Sequence, residues 1–233
     1  MAKAGLSNEA RIPRVADALT LVAWREPAVR LADWASAAEV PAAAFLIVEV
    51  LLSLLVFALL WHGRYWAGLI AAIPVMVVAL AALVVERSVH SAMAERRMHR
   101  AVEIVFPLLW WWAWAHGLAT YGRPLDPVSA TMVLWVVVGG TIAIDVVEAL
   151  AVHRSAIELH AWRPFDSRFR LISASRNTDL AILGVGLLLR RPDTGFVAVA
   201  WWTLITLIIH SVRLAQLTEL QARRQKIGSW LDR

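Results

Sequence analysis

The sequence lacks cysteine altogether and carries little charge, and each shortage excludes a class of protein. With no cysteine among 233 residues, a disulfide framework and a thiolate metal site are both excluded. Only 18% of the residues are charged, against about 25% in ordinary soluble domains. The net charge of +5 comes from basic residues scattered between apolar runs, which argues against a nucleic-acid-binding module. The sequence also has no phosphate-cradling glycine loop and no Ser-His-Asp set in a recognisable setting.

Apolar residues, in contrast, make up 60% of the chain. Soluble domains contain about 45–50% apolar residues, and a protein of this size buries only part of its surface. Lipid must therefore cover the remainder. A bilayer core of about 30 Å requires roughly 20 apolar residues per helix. The sequence predicts an all-α, polytopic membrane protein with six spans, at Phe45–Trp61, Trp66–Val85, Val102–Thr120, Ala130–Val152, Thr178–Leu189 and Phe196–Leu214.

Basic residues predict the orientation of these spans. Of the 23 Lys and Arg residues, 19 fall in the two terminal regions and the second and fourth loops, and 4 fall in the other loops. The positive-inside rule then places both termini in the cytoplasm. We accordingly expect a multi-pass protein of the cell inner membrane. The predicted organisation is a cytoplasmic segment at 1–40, a transmembrane domain at 41–216 and a cytoplasmic tail at 217–233.

The N-terminal segment has one helical stretch with an apolar face. Ala28, Leu31, Ala32 and Ala35 follow the i, i+3, i+4, i+7 spacing of a helix face. The pattern predicts either an amphipathic helix on the membrane surface, with Trp34 at its apolar edge, or a helix packed on the bundle.

Four acidic residues lie at predicted membrane depth, where charge is costly and usually serves a function: Glu49, Glu103, Asp145 and Glu148. Glu49, Asp145 and Glu148 leave open a small transporter or a proton path. His116 and His210 lie on apolar stretches and leave open a pigment or electron-transfer subunit, although a histidine satisfied within the bundle is the commoner case.

The fourth loop interleaves arginines with aromatic residues. Guanidinium groups bind phosphates bidentately, and aromatic rings lie well at headgroup depth. We therefore predict a site for a phosphorylated headgroup in this loop; the alternative is a structured loop held by pairing between arginine and Asp166. The arginines assigned to this site are Arg163, Arg168 and Arg170, with Arg87 of the second loop.

A second candidate site lies before the third span. Glu95, His99 and Glu103 are four residues apart and form one helical stripe. Carboxylates and an imidazole at this spacing predict a site for one divalent ion, Mg²⁺ or Mn²⁺. A solvated helix that pairs these residues with its own arginines is the alternative.

Two stretches of the sequence resemble the CDP-alcohol phosphatidyltransferase family. They are WRPFDSRFRLISASRN with GLLLRRPDTGFVAVAWWTL in the carboxyl half, and HRAVEIVFPLLWWWAW at the third span. The resemblance implies six spans, an amphipathic N-terminal helix, cytoplasmic termini and a dimer. It also implies a site in which four aspartates hold two divalent cations on a CDP pyrophosphate.

The family's motif, DxxDGxxAR followed by GxxxDxxxD, is largely missing at the corresponding positions. The first two aspartates fall at Ala79 and Ala82, and only Arg87 matches in the first half of the motif. The last two aspartates fall at His99 and Glu103. Since two metal ions need several anionic oxygens, these residues cannot hold the pair.

The resemblance therefore implies a degenerate, non-catalytic member that binds membrane lipids. Its expected partners are a second copy of the chain, an active paralogue or a larger membrane complex. The alternative is an active CDP-alcohol phosphotransferase with a rearranged site, in which Glu103 is the catalytic base, Glu95 and His99 bind a metal and Arg87 binds phosphate.

Overall fold

The computed structural model describes residues 16–88, 93–155, 157–223 and 230, and in these ranges the chain is helical with no strand. Proline or glycine marks several helix boundaries: Pro164 and Pro192 begin helices, and Gly63 and Gly122 adopt positive φ in turns. The helices are α1 (Arg25–Ala37), α2 (Ala42–Trp61), α3 (Tyr65–Ser88), α4 (Met93–Thr120), α5 (Pro127–Ser155), α6 (Pro164–Arg170), α7 (Arg176–Leu188) and α8 (Pro192–Ala222). A π-helical turn at Thr20–Trp24 precedes α1, and a 3₁₀ turn at Leu159–Ala161 precedes α6.

The described chain forms two compact units. The first contains α1 to α4, and the second contains α5 to α8 together with residues 16–18. Each unit has its own apolar clusters, and each is described separately below.

In the first unit, α1 packs on α3 through alanines. Ala28, Ala32 and Ala35 are fully buried in a cluster with Ala81 and Ala82 of α3. Small side chains on both helices allow this close packing. The i, i+3, i+4 pattern therefore marks a packed face. This agrees with the second of the two sequence interpretations, a helix packed on its neighbours.

α4 completes the first unit by lying close to the turn between α2 and α3. A Cβ added at Gly117 would come within 2.1 Å of the Leu60 carbonyl oxygen, so only glycine fits there. The Tyr65 hydroxyl donates to the Trp114 carbonyl oxygen at 2.7 Å, and the two rings stack at 4.0 Å. Trp110 is also buried, and its indole donates to the Ser53 carbonyl oxygen at 3.1 Å. These tryptophans fill the bundle.

In the second unit, α8 is the central helix and packs against both α5 and α7. Gly186 of α7 and Gly195 of α8 meet backbone to backbone, and a Cβ on Gly186 would lie 2.9 Å from the Gly195 Cα. This pair of glycines lets the α7–α8 hairpin close tightly.

Among the described residues, four helical stretches are long and apolar enough to cross a membrane: Ala43–Trp61, Tyr65–Val85, Pro127–Ser155 and Pro192–Ala222. They contain four of the six predicted spans. The predicted third span lies within α4, and the predicted fifth span lies mostly within α7, which has 13 residues. The last helix continues to Ala222, six residues beyond the predicted end of the transmembrane domain.

Candidate functional site

The candidate site is the segment that joins α5 to α7, which we call the cap (residues 157–175). It consists of the 3₁₀ turn, α6 and a short stretch before α7. Leu159 and Trp162 anchor the cap in an apolar cluster with Ala151 of α5 and Leu217 of α8. The fourth loop of the sequence is therefore a folded element of the second unit.

A buried ion pair fixes α6 on α8. The Arg213 Nε lies 2.7 Å from the Asp166 carboxylate, and the Asp166 side chain is only 5% exposed. Burial raises the pKa of Asp166 from its ordinary value, while Arg213 and Arg163 oppose that rise. The Arg213 guanidinium also lies over the Phe165 ring, 4.8 Å from its centroid. We call this pair of Asp166 and Arg213 the lock.

A second polar cluster lies on the inner side of the cap. One Glu148 carboxylate oxygen is 3.5 Å from an Arg170 nitrogen and 3.4 Å from the His210 Nδ1. His160 lies nearby and contacts Glu158 through its Nε2 at 3.1 Å. Burial lowers the pKa of His160, the positive charge of Arg170 lowers it further, and Glu148 and Glu158 act in the opposite direction.

The end of the cap is hydrogen-bonded to α8. The Trp202 indole donates to the Ile172 carbonyl oxygen at 2.7 Å, and the Ala174 amide donates to the Thr206 hydroxyl at 3.0 Å. Residues 16–18 also belong to the second unit. The Asn177 side-chain amide donates to both Asp17 carboxylate oxygens, at 3.0 and 3.1 Å. These bonds satisfy polar groups that would otherwise be costly to bury.

The outer side of the cap combines positive charge with exposed apolar surface. Arg163 and Arg168 are both exposed, and the Arg163 guanidinium lies 4.3 Å from the Trp162 ring centroid. Phe165 and Ile172 are 51% and 52% exposed. Arginine beside exposed apolar side chains is the composition of a membrane-surface element.

The four predicted headgroup arginines therefore have different positions. Arg163 and Arg168 lie on the outer side of the cap, whereas Arg170 lies on the inner side beside Glu148. The Arg87 side chain is outside the described residues.

The predicted metal site is only partly visible. The side chains of Glu95 and His99 are outside the described residues, and Glu103 is partly buried in α4. In the part of the chain that is described, no three His, Asp or Glu side chains are close enough to hold a metal ion. Two positions that correspond to family aspartates, Ala79 and Ala82, are buried in the first unit, and Ala82 packs with the alanines of α1.

The predicted intramembrane acids and the two histidines have unlike surroundings. Glu49 is 1% exposed in the first unit, whereas in the second unit Asp145 is exposed and Glu148 contacts the cap. His116 is exposed and stacks on Trp61 with ring centroids 3.6 Å apart. His210 is buried beside Glu148, which makes it part of the cap's inner cluster.

Sequence reasoning missed two residues of the site. It anticipated that Asp166 pairs with an arginine, but the partner Arg213 comes from the last span, 47 residues away. The signal was Arg213 at the end of an apolar run, where a charge near membrane depth usually has a nearby partner. It also missed Trp230, whose indole donates to the Ser167 hydroxyl at 2.8 Å.

The fold and site together define an all-helical membrane protein with a structured, arginine-bearing cap. No family model, curated protein or solved structure matches the chain. The resemblance to CDP-alcohol phosphatidyltransferases accordingly stays a prediction.

Proposed function

We propose that this chain is a non-catalytic membrane protein of the CDP-alcohol phosphatidyltransferase type that binds the phosphorylated headgroup of an anionic lipid. The observation that carries the proposal is the outer side of the cap. There, two arginines, Arg163 and Arg168, and two apolar side chains, Phe165 and Ile172, are all exposed. The arginines bind phosphate oxygens, while the apolar side chains enter the upper acyl region.

The lock, the ion pair of Asp166 and Arg213, holds this surface in a fixed conformation that is suited to binding. A seven-residue helix such as α6 is marginal by itself, because isolated short helices are unstable in water. Asp166 and Phe169 are buried on its inner side, so the outer side is held in a defined orientation. A preordered pair of arginines loses less entropy on binding than two arginines on a flexible loop.

The environment of α3 supports the absence of transferase activity. Ala82 stands where the family has a metal-binding aspartate, and it is 2% exposed in contact with the alanine face of α1. A two-metal site needs open, anionic surroundings for the cations and the nucleotide pyrophosphate. Here a methyl group and a packed helix occupy one of those positions.

The α7–α8 hairpin supports a six-span topology in which α7 is a short span. The Arg191 amide donates to the Gly186 carbonyl oxygen at 2.7 Å, so α7 ends beside the first turn of α8. The bond between Ala174 and Thr206 places the start of α7 about 21 Å further along α8, at 1.5 Å per residue. The folded cap then spans the rest of the roughly 30 Å hydrocarbon core, because its backbone is covered by protein and not exposed to lipid. With α4 as the third span, both termini lie in the cytoplasm and the cap lies at the cytoplasmic surface.

The proposal is tested by lipid capture, because the cap faces the lipid that surrounds the protein itself. Purified protein in neutral detergent is held on an affinity resin and equilibrated with mixed micelles that contain phosphatidylcholine and a radiolabelled anionic phospholipid, and the retained label is counted. We expect Arg163→Ala/Arg168→Ala to reduce the affinity for anionic phospholipid about thirtyfold, since each surface arginine contributes about 1 kcal/mol near an anionic membrane and about 1.4 kcal/mol corresponds to tenfold.

The matched control is Arg190→Ala/Arg191→Ala, which removes two exposed arginines from the α7–α8 turn of the same unit. It should leave binding unchanged. Equal binding by wild type and the Arg163/Arg168 variant would contradict the headgroup function. Recovery by Arg163→Lys/Arg168→Lys would assign the effect to charge alone, whereas failure to recover would indicate bidentate contact.

A further inference from the structure

Trp230 lies against the cap. The Trp230 indole Nε1 donates to the Ser167 hydroxyl at 2.8 Å, and Ser167 in turn donates to the His160 carbonyl oxygen at 2.6 Å. Ser167 therefore connects the 3₁₀ turn, α6 and Trp230. Trp230 is 36% exposed, so part of its surface remains accessible.

The serine that receives the indole lies close along the chain to the two arginines of the proposed headgroup surface. The Ser167 amide donates to the Arg163 carbonyl oxygen at 3.2 Å, which places Ser167 one turn beyond Arg163. Arg168 follows Ser167 directly in the sequence. Trp230 is therefore held on the same short helical segment that carries both arginines.

The chemistry of the indole suits this position. Tryptophan combines a large apolar ring with one polar N–H group, and it concentrates at the depth where headgroups meet acyl chains. Because its N–H group is already bonded to Ser167, the exposed part of the ring is available for apolar contact with lipid.

We propose that Trp230 forms part of the lipid-binding surface, as a positioning residue that completes the site made by Arg163 and Arg168. The ligand class is an anionic phospholipid at the membrane surface. This inference rests on the proposed headgroup function. In addition, it assigns to Trp230 a role that neither the composition nor the resemblance provides.

The test compares Trp230→Ala, Trp230→Phe and Ser167→Ala with wild type in the same lipid-capture assay. We expect Trp230→Ala to weaken the binding of anionic phospholipid about fivefold, in line with the loss of one hydrogen bond and a ring contact. Trp230→Phe keeps an aromatic ring but loses the indole N–H donor, so it should weaken binding less than Trp230→Ala does. Trp201→Phe is the matched control, because Trp201 is exposed on α8 and belongs to no part of the cap.

The hydrogen bond itself is tested by a double-mutant cycle. Ser167→Ala and Trp230→Phe should be non-additive, since either change removes the same bond. Additive effects would overturn the assigned contact.

Two outcomes separate this inference from the headgroup function. If the Arg163/Arg168 variant loses binding and the Trp230 variants do not, the headgroup function stands and the role of Trp230 is overturned. If the Arg163/Arg168 variant binds normally, the headgroup function fails. Tighter binding by Trp230→Ala would mean that Trp230 covers the site, which also overturns the inference.

Discussion

Removing the lock between Asp166 and Arg213 should unfold the cap, and the structure indicates how much stability is lost. The two side chains are 5% and 16% exposed, and their closest nitrogen and oxygen are 2.7 Å apart. Removing one partner of a buried ion pair leaves an uncompensated charge and costs about 3–5 kcal/mol. Arg213 retains some access to water, so we expect Asp166→Ala to cost about 3 kcal/mol, at the lower end of that range.

The reverse change should cost more. Arg213→Met leaves the more deeply buried Asp166 without its partner, and it also removes the contact between the guanidinium and Phe165. The double variant Asp166→Ala/Arg213→Met leaves no buried charge. It should therefore be less destabilised than the sum of the single variants.

Both effects are measured by reversible denaturant unfolding in detergent micelles, followed by tryptophan fluorescence. Hydrogen exchange of residues 159–175 gives a local measurement, and Asp166→Ala should remove protection there first. The control is Glu219→Gln, which breaks the pair of Glu219 and Arg223 on the surface of the same unit. That pair is more than half exposed on both sides, and pairs of this kind contribute about 0.3–0.5 kcal/mol. If Asp166→Ala cost no more than Glu219→Gln, the argument that the lock holds the cap would be refuted.

Three further predictions concern packing, pH and catalysis. Gly117→Ala should destabilise the first unit by about 3 kcal/mol, because its Cβ would lie 2.1 Å from the Leu60 carbonyl oxygen. Gly139→Ala, with nothing within 4 Å, should be neutral or stabilising by up to about 1 kcal/mol, and equal unfolding midpoints for the two variants would contradict the close approach. Since the folded state lowers the pKa of His160, the unfolded state takes up its proton first, and stability should fall as pH drops through about 6.5. Melting curves of His160→Gln should show a weaker decline over that interval, and an identical decline would exclude His160 as its source. Purified protein should release no CMP from a panel of CDP-alcohols with Mg²⁺ or Mn²⁺, and metal-dependent release would contradict the proposed loss of catalysis.

The sequence alone determined the class of protein. Hydropathy is a sum over neighbouring residues, so an apolar run predicts a membrane helix whatever its partners are. Four of the six predicted spans lie in helices with the length and composition to cross a membrane. The alanine spacing at Ala28, Ala32 and Ala35 likewise predicted a helix face, because helical periodicity is a local property.

Only the tertiary structure decided which surface the alanine face covers and which charges pair. The sequence left α1 between the membrane surface and the bundle, and its packing against Ala81 and Ala82 depends on residues more than 40 positions away. In the same way, pairing of Asp166 with an arginine was one of the two interpretations of the fourth loop, and several arginines were equally near in sequence. The partner is Arg213 because the fold brings α6 onto α8, and the same packing turns Arg170 inward to Glu148 while Arg163 and Arg168 remain outside. Pairing depends on distances in space, and no local pattern of residue types encodes those distances.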